Sequence, residues 1–445
     1  MRHLVAIFTA IFLSISAHAD NILIENVTVI TMEGGKVLKN ATVAINNDKI
    51  TMLAGRDELS WLDQWRTDET HNNDPIVIDG TGKFLFPGLA ELHGHLPFNS
   101  ASSQDTKDTL FLYLAGGVTT VRGMLGDPEQ FEMRAAITAG EIAGPTLYLA
   151  APSLNGNTVT SPADGVAKVK SYHVAGYDLL KIHPGLTRAE YDAIAKIANS
   201  LGMPFGGHVP ADVGLERALE AGQISLDHMD GYIIWMDGDK RIWTAQELKR
   251  AVDITKASGT WIVPTQALFN TFYSGDSSHD LLSKPVIASL LARPENAYVP
   301  KSQLARWKRI AQAATPNPIA VQNRQSLLKV FADANVNIAM GSDAPQTFSV
   351  PGFSIWREIE VMVEAGLTPD QILSIGTKAA GSHFQDKAKF GTISIGSRAD
   401  LLLLSADPRL DAKNLFKQTG VIAAGRWYSR ETIDKNLAAI ANRHQ

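Results

Sequence analysis

The chain has 445 residues, 45% of them hydrophobic and 20% charged, with a formal net charge of −5 and no cysteine. That is ordinary globular composition, ample for a large core, and no basic run marks a nucleic-acid surface. The absence of cysteine excludes disulfides, thiol nucleophiles, thiolate metal ligands and lipid attachment at a cysteine. Histidine, carboxylates and modified lysine are then the available metal ligands.

Residues 1–19 read as a secretory signal. Arg2 and His3 make a short basic start, and an apolar run over 4–15 is too short for a bilayer, which needs about 20 residues. Ala17-His18-Ala19 fits the small-x-small cleavage rule, so the mature chain is expected to begin at Asp20 and to be exported, to a periplasm or beyond. An uncleaved anchor is the rival reading. No later segment has a membrane-spanning pattern, so no membrane association is expected once the signal is removed.

Residues 21–32 and 41–53 alternate like strands around Gly34-Gly35, with Asn46-Asn47-Asp48 as further turn chemistry. A polar, tryptophan-containing insertion occupies 56–75, and 76–78 resumes the strand pattern. Segments 391–395, 399–404 and 420–424 look similar at the other end. These two ends, 20–85 and 388–445, are expected to form one small composite β-sandwich. Between them, over 86–387, strands and helices alternate. Candidate strands end near His95, Met124, Pro152, His183, His208, Tyr232, Thr265 and Asp343. Helix-like runs separate them, several closing on glycines such as Gly140, Gly176 and Gly202. Eight such alternations predict a parallel (β/α)₈ barrel, with an open doubly wound sheet as the alternative. The long stretch 264–318 is expected to hold extra helices, over 284–292 and 301–314, and to serve either as a lid or as a packed insertion.

Polar residues recur at these strand ends: His93-Gly94-His95, then Lys181, His208, His228 and Asp343. Side chains two apart on a strand share a face, so His93 and His95 aim together and can grip one divalent cation. Any one of these histidines alone reads equally as a hydrogen-bonded rim residue; the recurrence is the signal. Lys181 ends a buried strand, where a lysine is costly unless paired or neutral. Deprotonated, it can take up carbon dioxide as a carbamate, which can bridge two cations, with His93 and His95 on one side and His208 and His228 on the other. Asp343 can bind the first cation and accept a proton from water, whose pKa a metal lowers to about 7. His183 lies two residues beyond Lys181 and points the same way, as a substrate contact or a supporting group. Arg122, Tyr232 and Asp230 are further candidates for the inner rim and for touching substrate. Zinc suits such ligands best, with manganese or cobalt as alternatives.

This pattern resembles the amidohydrolase superfamily over nearly the whole mature chain. Pro87-Gly88-Leu89 leading into His93-Gly94-His95 looks like its first-strand signature, and 396–401 (Gly-Ser-Arg-Ala-Asp-Leu) is similar to its closing motif. Residues 117–122 (Gly-Val-Thr-Thr-Val-Arg) resemble the second strand of the prolidase-like and imidazolonepropionase-like branch, although Gly123 departs from an expected aspartate. The resemblance maps a carboxylated lysine, two later histidines and a final aspartate onto Lys181, His208, His228 and Asp343. It implies a barrel with a composite sandwich and metal-assisted hydrolysis of a small molecule. The branch suggests an amide-type C–N bond in dipeptides or N-acyl amino acids. Esters, lactones and phosphotriesters are alternatives on the same centre. A one-metal deaminase or cyclic-amide hydrolase is a second alternative, but Ala211 stands where the superfamily's deaminases carry glutamate. An exported binding protein without catalysis is a third, although every expected ligand is present. Oligomeric state stays open.

Overall fold

The computed structural model describes residues 21–55, 62, 65, 75–273 and 284–444. The expected leader and most of 56–75 lie outside the described residues. No helix among the described residues is long and apolar enough to cross a membrane. The protein is mixed α/β, with three hydrogen-bonded sheets among the described residues.

The largest sheet joins the two chain ends. From the N-terminal side come β1 (Ile22–Ile30), β2 (Val37–Asn46), β3 (Lys49–Ala54), β4 (Ile76–Asp79) and β5 (Phe84–Pro87). From the C-terminal side come β13 (Leu401–Leu404), β14 (Gln418–Ala423) and β15 (Arg426–Ser429), the intervening strands being given below. β13 pairs antiparallel with β5, Leu401 opposite Pro87. Period-two geometry explains why four successive leucines sit here. Leu401 and Leu403 pack with Ile22, Val43 and Ile45, whereas Leu402 and Leu404 join Phe86 in the main core. Two expectations change at this end. Segment 391–395 is not a strand, and 430–444 forms a helix, Arg430–His444, that buries Ile433, Leu437 and Ile440.

The middle of the chain supplies two parallel sheets: β6 (Leu89–Gly94), β7 (Val118–Gly123) and β8 (Thr146–Leu149); and β9 (Leu180–Ile182), β10 (Phe205–Gly207), β11 (Ser225–Asp227) and β12 (Trp261–Val263). Ala150 bridges Leu179, Leu154 bridges Ile182, and Ile262 bridges Ile338, all parallel. Leu92 N–H donates to the Met340 carbonyl at 2.8 Å. The expected last strand before Asp343 is thus a single bridge followed by irregular backbone. The expected strand end at Tyr232 is also corrected: β11 stops at Asp227, and Tyr232 lies in a short helix, Asp230–Trp235.

Helices separate the strands as expected, and local chemistry sets their ends. Thr187 with Glu190 and Thr244 with Glu247 form capping boxes that satisfy the first free N–H groups. The stretch 264–318 holds helices Gln266–Tyr273, Lys284–Leu291 and Lys301–Ala313. Three further helices between Asp343 and β13, namely Phe353–Glu364, Pro369–Gly376 and Lys378–His383, were not among the expected helical runs.

Arg398 ties the large sheet to β7. Its Nε donates to Asp400 at 2.5 Å, its Nη2 donates to Thr120 Oγ1 at 2.6 Å, and its guanidinium lies over Phe390. Removing one partner of a buried ion pair leaves the other uncompensated. Arg398→Met should therefore lower the urea midpoint of unfolding, at a cost of about 3–5 kcal/mol; an unchanged midpoint would show that the two parts hold together without it.

Candidate metal centre

His208, His228 and Asp343 follow parallel segments and are fixed there by a neighbour's backbone, whereas His93 and Lys181 lie within β6 and β9. His208 N–H donates to Ile182 C=O, His228 N–H to Val263 C=O, and Asp343 N–H to His93 C=O. Three residues beside or within the cluster have left-handed backbones: His228 (φ 68°), Thr265 (φ 46°) and Asp343 (φ 62°). Non-glycine residues avoid that region, and such strain collects at functional sites.

His93 and His95 lie with ring centroids 5.6 Å apart, and both approach Asp343. His95 Nε2 is 2.6 Å from Asp343 Oδ1, and His93 Nε2 is 3.6 Å from the same atom. One donor atom from each of these three residues fits within 4.8 Å of the others, a spacing that can hold a metal ion. The remaining histidine rings continue the cluster: His93 to His228 at 4.3 Å, His228 to His208 at 4.4 Å and His208 to His183 at 4.7 Å.

A common device orients these rings. His93 Nδ1 meets Asp227 Oδ2 at 2.7 Å, His208 Nδ1 meets Asp230 Oδ2 at 2.9 Å, and His228 Nδ1 meets Thr265 Oγ1 at 2.8 Å. A carboxylate can only accept, so it places the proton on Nδ1 and leaves the Nε2 lone pair for a cation. Thr265 can accept in the same sense. Burial holds His93 and His228 far below the ordinary imidazole pKa, helped by the nearby cationic groups, so both rings are neutral.

Lys181 is fully buried, and its Nζ lies 3.2 Å from His93 Nε2. Burial pulls it down to about 8, although Asp227 and Asp343 act in the opposite direction. A substantial neutral fraction at physiological pH is what carbon dioxide uptake requires. The donor chemistry therefore fits a cation at His93, His95 and Asp343, with Lys181 adjoining it.

Two rim candidates are corrected. Arg122 is wholly buried beneath the cluster rather than at its mouth. Its Nη2 donates to both Asp227 oxygens at 3.2 Å, its Nη1 to Ser225 Oγ at 3.0 Å and its Nε to Leu92 C=O at 2.5 Å. Burial alone would raise the Asp227 pKa; Arg122 and Lys181 outweigh it and keep the carboxylate ionised. Tyr232 is also buried, with its hydroxyl on Thr255 and its ring against Phe331, away from the cluster. Asp230 is at the centre, but as the acceptor that turns His208. His183 is half-buried beside His208, as expected.

Asp227, Thr265 and Glu91 escaped the sequence reading. Glu91 accepts from the backbone N–H groups of His93 and Ser342, and from the Ser342 hydroxyl, pinning β6 to the Asp343 turn. Burial pushes its pKa up to about 8 against those hydrogen bonds. Its place two residues before His93, with the same strand parity, was the available signal.

The model of the amidohydrolase family matches residues 84–428. The chain belongs to the amidohydrolase family. A curated relative, the 5-methylthioadenosine/S-adenosylhomocysteine deaminase of Caldanaerobacter subterraneus subsp. tengcongensis, is 22% identical over 88% of this chain and 87% of its own length. Among solved structures, a putative prolidase from Bifidobacterium longum is 23% identical over 95% of this chain and 99% of that one, with a TM-score of 0.66. A Xaa-Pro dipeptidase with methionine bound in its active site is 20% identical over 92% and 100%, with a TM-score of 0.63. A bottromycin amidohydrolase reaches a TM-score of 0.70 at 20% identity, over 95% and 90%. These likenesses show a shared fold, and the family makes this protein an enzyme of a hydrolase class.

If Asp227 orients His93 for a cation, Asp227→Asn should weaken metal binding about 10–100-fold while leaving the circular dichroism spectrum unchanged. Competition with a chelator measures this, and parental affinity in the variant would remove Asp227 from that role.

Proposed function

We propose that this protein is a two-metal amidohydrolase that cleaves an amide-type C–N bond in a small substrate such as a dipeptide or an N-acyl amino acid. The observation that carries the reading is the clamping of His93, His208 and His228 through Nδ1, around Lys181, His95 and Asp343. His93, His95 and Asp343 would hold one cation, His208 and His228 a second, and a carbamate on Lys181 would bridge them. Zinc fits the ligand set best. The prolidase and dipeptidase among the structural relatives support the substrate class.

The same reading includes the whole architecture. The bridges at Ala150 and Ile262, with the Leu92–Met340 hydrogen bond, support one closed ring of parallel strands over 86–387. The sheet shared by the chain ends would be the sandwich over 20–85 and 388–445, and residues 1–19 would direct export.

Bound divalent cations would acidify a water and polarise the scissile carbonyl. Asp343, on one side of the cluster, takes the proton from the attacking water and delivers it to the leaving nitrogen. Phe269, from the helix Gln266–Tyr273, packs 5.8 Å from the His228 ring and walls that side from solvent.

A one-metal deaminase is the second reading, favoured by the curated deaminase relative. Lys181 at the centre and Ala211 in place of a glutamate weigh against it.

A panel of dipeptides and N-acyl amino acids, with methylthioadenosine as comparison, tests the choice in zinc- and bicarbonate-loaded protein. Amine release is expected from the first group; ammonia from the nucleoside alone would favour the deaminase. Asp343→Asn should fold normally and turn over at least ~10²-fold more slowly; near-parental turnover would take Asp343 out of proton transfer. Lys181→Ala should bind one cation instead of two by elemental analysis, and unchanged metal content would reject the bridge.

A further inference from the structure

His183 stands in the same cluster as the candidate ligand histidines, yet its support differs from that of His93 and His208. Its Nδ1 lies 2.8 Å from a hydroxyl, Ser153 Oγ, where His93 and His208 meet carboxylates. The direction of that hydrogen bond can be followed from its far end. Asn155 Oδ1 accepts from the backbone N–H groups of Asn157 (2.8 Å) and Thr158 (3.1 Å), which settles the orientation of the amide. Asn155 Nδ2 is therefore the donor to Ser153 Oγ at 2.9 Å. The Ser153 oxygen keeps a second lone pair, so its contact with His183 Nδ1 can run either way; donation to Nδ1 is the direction that gives the hydroxyl hydrogen a partner among the described residues. In that direction the proton of a neutral His183 resides on Nε2, the reverse of the arrangement imposed on His93 and His208.

The loop bearing this chain is registered on the strand that carries Lys181. Leu154 N–H donates to Lys181 C=O and His183 N–H to Leu154 C=O, each at 2.9 Å. The His183 ring stacks on His208 at 4.7 Å with 27° between planes, and its Nε2 makes no hydrogen bond to any described residue.

We propose that His183 is a catalytic hydrogen-bond donor and not a metal ligand. Resting on the hydrolytic reading above, its Nε2–H donates to the substrate carbonyl oxygen as that oxygen gains negative charge during attack. Ser153 and Asn155 are positioning residues that fix the tautomer. Donors set in advance toward a developing oxyanion contribute to the transition state and little to ground-state binding.

The tautomer can be read directly from two-bond ¹H–¹⁵N correlations of the histidine rings, with His183 assigned by its loss in His183→Gln. The Nε2–H pattern is expected in the parent chain and a shift away from it in Ser153→Ala. His183→Leu should keep its zinc and its KM but lose about 10²-fold in kcat, the usual cost of one oxyanion donor. His183→Gln, which retains an N–H, should recover part of that loss. An Nδ1–H pattern in the parent, or loss of zinc from His183→Leu, would overturn the assignment. If the parent hydrolyses none of the substrate panel, the proposed reaction falls, and the tautomer pattern still decides the chemistry of His183.

Discussion

An imidazole has two nitrogens, and satisfying one decides what the other can do. This constraint organises the centre. Five histidine rings with neighbouring centroids 4.3–5.6 Å apart would be unfavourable as cations, and burial keeps at least His93 and His228 neutral. A neutral ring must then place its single proton. Asp227 and Asp230 draw it to Nδ1 of His93 and His208 and leave their Nε2 lone pairs free, and Thr265 can accept from His228 in the same sense. Ser153, already accepting from Asn155, sends it to Nε2 of His183. A candidate cation site and the proposed hydrogen-bond donor thus come from one residue type through the choice of partner.

The partners need support of their own. Asp227 carries a full charge in the interior, which is tolerable because Arg122 donates to both its oxygens from beneath. Arg122 is in turn held by Ser225 and the Leu92 carbonyl, so the strand that presents His93 also anchors the cation that steadies the His93 acceptor. Glu91 joins that strand to the Asp343 turn. The left-handed backbones of His228, Thr265 and Asp343 are costly, and hydrogen bonds from His228 and Asp343 to neighbouring segments hold two of the three in place.

Most of the residues that gather in the cluster were legible in the sequence because strands impose a period of two and end where polar residues begin. His93 and His95 share a face for that reason, and the helix-closing glycines located the intervals between strands. Depth was not legible. Parity says that Arg122 points inward, but not that it ends beneath the cluster. Tyr232 was misplaced because an apolar run, Tyr232-Ile233-Ile234, continued past the true strand end at Asp227 into a helix. The helix Arg430–His444 had its signal in Ile433, Leu437 and Ile440, spaced four and three apart, which the strand-rich surroundings obscured. The acceptors behind the histidines were the hardest to find. Asp230 is two residues from its nearest ligand in sequence but serves His208, and Asp227 serves His93 from far along the chain, so only folding pairs them.

The most direct test is a crystal structure of the zinc- and bicarbonate-loaded chain, with anomalous data collected at the zinc edge. The account predicts two zinc peaks, approached by Nε2 of His93, His208 and His228, with a carbamate on Lys181 between them. A single peak beside an unmodified Lys181, or coordination through Nδ1, would contradict it.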